Sequence, residues 1–429
     1  MTGLALVIAI ALTVCLLMAI PVAFSLIITG VVAMLWVGDI PLMALPQQLI
    51  TGIDSFLLLA IPFFLLAGDL MNSGGITQRL LDFTNALVGR FRGGLALSNV
   101  VSATVMSGIS GSAVADTSAL GRVLIPAMVR EGYSRGFAAA LTGVANIVGP
   151  IIPPSITFVL IGVLTNLSIT KLFIAGILPG VLYSIAIGIA AYVICRRRGY
   201  PARPGASMAE VWQTFKRSFW SLMMPIFILA GIRTGAFNVT ECSVMAVLYA
   251  LVVGSLVYRE LTLRDVVTAL IRTGRATAVL MIVLGGAQVV AWLLAYQNIP
   301  QAVADWMLTA VQHPWIFLLV VNVLLLLVGT FMENGPALVV LAPVLYPIAV
   351  KFGIDPYHFS MILALNLVLG LVTPPVAISL SIGAVIANAP SREVTREAMP
   401  LFGVAVLVLL LVTYVPQISL FIPDLMGIK

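Results

Sequence analysis

Runs of about 20 apolar residues recur along the whole of this 429-residue chain, and each is long enough to cross a hydrocarbon core of roughly 30 Å. Backbone in lipid must satisfy its own hydrogen bonds, so runs of this length fold as helices and the chain is expected to be an all-α, polytopic membrane protein. Composition points the same way: 61% of residues are hydrophobic and 9% charged, with a mean hydropathy of +1.15, where a soluble domain carries roughly 25% charged residues. A soluble enzyme is excluded. The 22 Lys and Arg outnumber the 16 Asp and Glu, but the basic residues sit in short connecting segments, which is the pattern that orients a membrane protein and not one that binds nucleic acid. Cys15 and Cys195 lie in apolar runs and Cys242 stands alone, so no disulfide framework or CxxC metal site can be drawn.

No Lys or Arg precedes Arg79, so the basic start of a secretory signal is absent and the first apolar stretch is expected to be retained. Residues 4–38 are apolar for longer than one span needs, and Pro21 divides them into two short spans. Further spans are expected at about 53–72, 134–168, 172–195, 217–233, 240–258, 277–297, 357–389 and 398–422. Two remaining apolar stretches, about 91–130 and 314–350, are broken near their centres at 107–112 (SGISGS) and 329–336 (GTFMENGP). If each is a hairpin that enters and leaves on one side, the basic residues separate by compartment. Seventeen, from Arg79 and Arg90 through Arg203 and Arg272 to Arg396, fall on one side; Lys171, Arg233, Lys351 and Lys429 fall on the other, and Arg122 lies in a hairpin arm. The positive-inside rule makes the first side cytoplasmic and places both termini outside.

The chain also repeats itself. At an offset of 221, Gly108 matches Gly329, Pro126 matches Pro347, Gly132 matches Gly353, Gly149 matches Gly370, Pro153-Pro154 match Pro374-Pro375, Gly162 matches Gly383 and Pro179 matches Pro400. Chance would give about one such identity over this stretch, so the chain is a duplication. Corresponding elements lie five crossings apart, and an odd number turns the second copy upside down, as in the inverted repeats of secondary transporters. Segments 76–90 and 260–275 carry apolar residues at helical spacing with Arg and Asp between, and are expected to be amphipathic helices at the cytoplasmic surface; simple loops are the alternative.

Each copy thus holds a Gly/Ser- or Gly/Asn-rich hairpin tip and a Gly-x-x-x-Pro-Pro break at mid-membrane depth. Unsatisfied backbone survives there only where it faces protein, ions or water, so the four interruptions are expected to meet around a site. Helices that start after the tips and the Pro-Pro pairs would turn four positive N-terminal ends toward an anion, and the half-helices that end there would offer carbonyl oxygens to a hard cation such as sodium. Ser107, Ser110, Ser112, Asn146, Ser155 and Thr157 in the first copy, with Asn334, Asn366, Thr373 and Ser379 in the second, could complete these sites; the alternative for each is a bond to its own helix. Ser112, Asn146, Ser155, Thr157, Asn334, Asn366 and Thr373 are assigned to the anion. Asp116 and Glu333 are the acids near the tips, and each either holds a cation or stabilises its own helix start. No HExxH is present and no lysine follows a glycine, so zinc chemistry and a Walker-type nucleotide site are not expected.

The run 107–128 (SGISGSAVADTSALGRVLIPAM), followed by Gly149–Ser155 (GPIIPPS) and Leu371–Pro375 (LVTPP), resembles the large membrane subunit of tripartite ATP-independent periplasmic (TRAP) transporters, and the similarity extends over essentially the whole chain. The resemblance implies sodium-driven import of a carboxylate-bearing solute, a C4-dicarboxylate or sialic acid among the candidates, in the bacterial inner membrane. It implies two partners, a small four-span membrane subunit and a periplasmic binding protein, and an elevator in which a transport part moves against a scaffold. Residues 1–90 and 199–312 would then be scaffold, the latter with a cytoplasmic loop, and 91–198 and 313–429 would be the transport part. Sodium would lie at the first tip and break, among Ser107, Ser110, Gly111, Asp116, Gly149 and Pro150, and at the second, among Gly329, Met332, Gly370, Val372 and Thr373. No nucleotide, haem or zinc is implied. The competing reading is a stand-alone organic-anion transporter driven by protons or sodium; an intramembrane enzyme would need a paired-acid metal motif or a histidine at depth, and neither is found.

Overall fold

The computed structural model describes residues 2–202, 205–311 and 313–427; Arg203 and Lys429, two of the charges used to orient the chain, lie outside the described residues. Among the described residues there is no strand, only an isolated bridge between Arg92 and Ala202. The first copy opens with α1 (Thr2–Leu17) and α2 (Val22–Val37), which pack on each other across a turn at Pro21. Then come α3 (Ala44–Thr51), α4 (Ala60–Ser73) and α5 (Ile76–Val88). The first hairpin is α6 (Gly94–Ser110) and α7 (Ala113–Arg130), the first broken helix is α8 (Arg135–Ala145) and α9 (Ile156–Thr165), and α10 (Ile169–Arg197) closes the copy. The second copy runs through α11 (Met208–Arg233), α12 (Val239–Val252), α13 (Leu263–Tyr296) and α14 (Ile299–Ala310). Its hairpin is α15 (Pro314–Phe331) and α16 (Asn334–Lys351), its broken helix is α17 (Pro356–Gly370) and α18 (Ile378–Ala387), and α19 (Ser391–Tyr414) and α20 (Gln417–Leu425) complete it.

The duplication is visible in the element bounds. Adding 221 to the ends of α7 gives 334 and 351, the ends of α16. Packing repeats too: α4 lies on α12 as α2 lies on α13, and α16 lies on α9 as α7 lies on α18. Each returning hairpin arm therefore seats on the second half of the other copy's broken helix, and the two copies interlock.

Two hairpins and two broken helices are thus confirmed, and the reason for each turn is local. At the first tip Gly111 takes a left-handed conformation (φ +62°), and Ser112 is extended with its Oγ accepting the Ala115 N–H at 3.4 Å. At both breaks the Pro-Pro pair stands between the helix halves, because proline offers no N–H to continue the first half. Eight helical segments among the described residues are long and apolar enough to cross a membrane. Both arms of the second hairpin are among them, at 18 residues each, so length alone does not separate an arm from a span.

One surface-helix expectation is corrected. Residues 260–275 do not form a separate amphipathic helix; from Leu263 they are the start of α13, a single helix of 34 residues begun by a capping box between Thr262 and Asp265. No proline interrupts this stretch, and Gly274 alone does not stop a helix, so the amphipathic start runs directly into the span. The counterpart of α5 is instead α14, since 76 and 88 shifted by 221 give 297 and 309. In the first copy the region equivalent to α13 is divided into α3 and α4 by the turn at 52–55.

The cysteines, all buried, leave a clean background for testing the topology. Cysteine at Ala209, in the exposed first turn of α11, is expected to react only from the cytoplasm, and cysteine at Lys351, exposed at the end of α16, only from outside. Reaction of both from one side would remove the inverted arrangement.

Candidate anion cavity and buried carboxylate

A cavity of about 500 Å³ lies where the two hairpin tips meet the first break. Ser110, Gly111 and Ser112 of the first tip, Glu333, Asn334 and Gly335 of the second, and Pro150, Ile156 and Thr157 of the first broken helix form one wall. The opposite wall is made of two helical stripes: Leu65, Gly68, Asp69 and Asn72 on α4, and Arg272, Thr273, Ala276, Val279 and Leu280 on α13. The walls touch closely at Gly68, where an added Cβ would lie 3.2 Å from the Cα of Ser110.

Three helices begin in the cavity wall, α7, α9 and α16, and their first-turn N–H groups give it positive potential. The expected fourth, α18, does not line it. Ile378 faces a separate surface hollow with Ser118 and Arg122, because α18 is held against α7 and α8. The two copies are stitched at the cavity floor by Asn334 Nδ2, which donates to Thr157 Oγ1 at 2.9 Å.

The side chains assigned from sequence divide into groups. Ser110, Gly111, Ser112, Pro150, Thr157 and Asn334 line the cavity. Ser155, Asn146, Asn366, Thr373 and Ser107 do not, and their bonds are mostly structural. Ser155 is the cap of α9, accepting the Phe158 N–H at 3.3 Å and donating to the Pro150 carbonyl. Asn146 donates to the Thr142 carbonyl at 2.8 Å, while Asn366 donates to Asn322 Oδ1 and the Ile362 carbonyl. Thr373, in the break just past the end of α17, donates to the Leu369 carbonyl of that helix, and Ser107 donates to the Thr104 carbonyl of its own. Asp69, Asn72, Arg272 and Thr273 were not anticipated. Their signal was present as polar residues at i, i+3 or i+1 spacing inside otherwise apolar runs, but no backbone break drew attention to them.

Behind the first tip sits Asp116, wholly buried. Its Oδ1 accepts from Ser110 Oγ at 2.5 Å, and its Oδ2 has no hydrogen-bond partner among the described residues. Gly149 of the break lies against it: a Cβ there would fall 3.1 Å from Oδ2. Tip, break and carboxylate are therefore brought together in the first copy. In the second, Gly329 and Gly370 are in backbone contact, and Met332 and Val372 are buried beside them, but the position equivalent to Asp116, 116 plus 221, is Ala337. No group of three or more His, Cys, Asp or Glu that could hold a transition metal occurs among the described residues.

Comparison with known proteins agrees with this architecture. The chain is 41% identical over 405 residues, 94% of its own length and 95% of the other's, to the sialic acid TRAP transporter large permease protein SiaM of Vibrio cholerae. It is 37% identical, over 94% and 95% of the two lengths, to the C4-dicarboxylate TRAP transporter large permease protein DctM of Pseudomonas aeruginosa. The crystal structure of the Alcanivorax borkumensis YdaH transporter, described as having an unusual topology, superposes with a TM-score of 0.61 over 90% of this chain and 89% of that one, at 16% identity, and so shares the fold. The family described as tripartite ATP-independent periplasmic transporter, DctM component, matches residues 9–418, and the chain belongs to it: a multi-pass permease of the bacterial inner membrane, not an enzyme.

Proposed function

We propose that the chain imports a carboxylate-bearing organic acid down a sodium gradient, receiving it from a periplasmic binding protein and working with a small four-span membrane subunit. The observation that carries this reading is the pairing of a cavity lined by three helix N-termini with the buried, half-partnered carboxylate of Asp116 beside it. The first suits an anion and the second a cation. Sialic acid and C4-dicarboxylates, named for the two permeases above, both carry carboxylates, and the cavity is large enough for either class. Sodium is assigned first to Asp116 with Ser110 and the carbonyls around Gly149, and second to the Gly329–Gly370 contact region.

An elevator movement, with residues 91–198 and 313–429 carried against 1–90 and 199–312, is supported by where side-chain ties fall. Within the proposed moving part, Glu393 Oε1 accepts the Gly136 N–H at 3.2 Å, Arg198 pairs with Glu397 at 2.7 Å, and Asn322 Nδ2 donates to Thr413 Oγ1 at 3.1 Å. Within the proposed scaffold, Arg79 pairs with Glu260 at 2.7 Å, Ser218 Oγ donates to the Arg79 carbonyl at 2.7 Å, and Thr240 Oγ1 to the Phe56 carbonyl at 3.3 Å. Ties that cross include one on each of the equivalent helices α5 and α14: Thr84 of α5 shares a hydrogen bond with Ser102 at 2.7 Å, and Asp305 of α14 pairs with Lys351 at 2.9 Å.

The test is uptake in proteoliposomes. Uptake of N-acetylneuraminate or a C4-dicarboxylate is expected to require an inward sodium gradient, the small subunit and the loaded binding protein together. Full uptake by this chain alone on a proton gradient would favour the stand-alone transporter instead.

A further inference from the structure

Arg272 is a cation in the cavity wall that the assignment above leaves without a task. It lies on the α13 stripe that faces the cavity, and among the described residues it makes no ion pair or side-chain hydrogen bond. Its depth differs from that of the helix N-termini. Leu280, eight residues further along α13, touches the level of the second tip, since a Cβ on Gly335 would lie 3.5 Å from Leu280 Cδ2. At 1.5 Å per residue Arg272 is about 12 Å closer to the cytoplasm. The charged groups that share the cavity with it are Asp69 and Glu333. Asp69 lies one residue beyond Gly68, which abuts the first tip, so it stands between the tip and the cytoplasmic mouth on α4, the helix beside α13 in the same wall.

We infer that Arg272 forms a second, release-side carboxylate position, which takes the solute's carboxylate as it leaves the helix N-termini and before it reaches the cytoplasm. This rests on the reading of the cargo as a carboxylate. A guanidinium presents paired N–H donors that match a carboxylate, and in a water-filled mouth the pairing is weak enough to reverse. Asp69, on the neighbouring helix of the same wall, then acts as the competing anion, limiting how long the solute stays. A residue that served only the positive-inside count would have no reason to face the cavity. Arg275, on the same helix, shows the contrast: it is exposed but lies roughly 100° of helix rotation from the centre of the cavity stripe and does not line it.

The test uses the complete reconstituted transporter in exchange mode, with N-acetylneuraminate and succinate as probes, and measures half-saturation separately for solute on the cytoplasmic and the outer face. Arg272→Gln is expected to raise the cytoplasmic half-saturating concentration about fivefold, the size of a water-reachable ion pair, and the outer one by less than about twofold. Arg272→Lys should keep most of the wild-type value, Arg275→Gln should match wild type, and Asp69→Asn should lower the cytoplasmic value. An unchanged cytoplasmic value in Arg272→Gln, or an equal rise in Arg275→Gln, would overturn the assignment while leaving the carboxylate reading intact. Failure of the wild-type complex to exchange either probe would remove the carboxylate reading and this position with it.

Discussion

Asp116→Asn is expected to reduce sodium-driven uptake by about tenfold or more while the protein still inserts and assembles with its partners. The Asp116 carboxylate is costly where it stands. It is fully buried, and a buried charge with one oxygen unpartnered costs several kcal/mol unless something nearby offsets it. The helix start behind it supplies about 0.3 to 2 kcal/mol, which does not close that gap. A capping role is also taken by another residue, because Ser112 is the side chain that accepts the free N–H of α7. Asp116 instead accepts from Ser110, and its second oxygen faces the Gly149 break. A cation held between that oxygen and the carbonyls of tip and break would supply the missing partner. Asparagine has the same shape and can still accept from Ser110, so folding should tolerate the change. The measurement is uptake against sodium concentration in proteoliposomes, alongside recovery of the purified complex. Normal uptake with unchanged sodium dependence would return Asp116 to a helix-dipole role and leave backbone carbonyls as the ion ligands.

How much of this was legible in the sequence depends on whether the backbone itself is unusual. Hairpins and broken helices announce themselves through clustered Gly and Ser and through paired prolines, where a single Gly or Pro, as in α10 and α13, leaves a span continuous, and the offset of 221 then fixes both copies at once. The wall contributed by α4 and α13 has no such mark. Asp69 and Arg272 sit in regular helix, and only the packing of one stripe against the tips shows that they face the cavity. The amphipathic assignment went astray for a similar reason: periodicity in 260–275 is real, but it describes the start of a long helix, and applying the offset to α5 would have pointed to α14. The fourth helix end, at α18, was misplaced because symmetry in sequence does not guarantee symmetry of exposure. The helix starts at equivalent positions in the two copies, yet one faces the cavity and the other a different hollow.

Equivalent glycines are likewise put to different uses, which makes a second large effect predictable. Gly149 and Gly370 match by the offset. In the first copy, the space beside Gly149 is filled by Asp116 and the start of α7; in the second the position equivalent to Asp116 is Ala337, and the backbone of Gly370 lies directly on that of Gly329. A Cβ on Gly370 would fall 2.4 Å from the Cα, carbonyl carbon and oxygen of Gly329. Those atoms belong to the hairpin backbone and cannot swing aside as a side chain would, so Gly370→Ala must separate α15 from α17. The expected cost is about 1 to 3 kcal/mol or more, seen as a lower melting temperature of the purified protein, with loss of most uptake because tip and break no longer meet. Gly329→Ala, whose Cβ would lie 3.0 Å from the Gly370 Cα, should be milder. Gly403→Ala on α19, with nothing within 4 Å, should be neutral or stabilise by up to about 1 kcal/mol, since alanine favours helix. A Gly370→Ala protein with wild-type melting and uptake would mean that the second tip and break need no backbone contact, and the ion position proposed between them would lose its support.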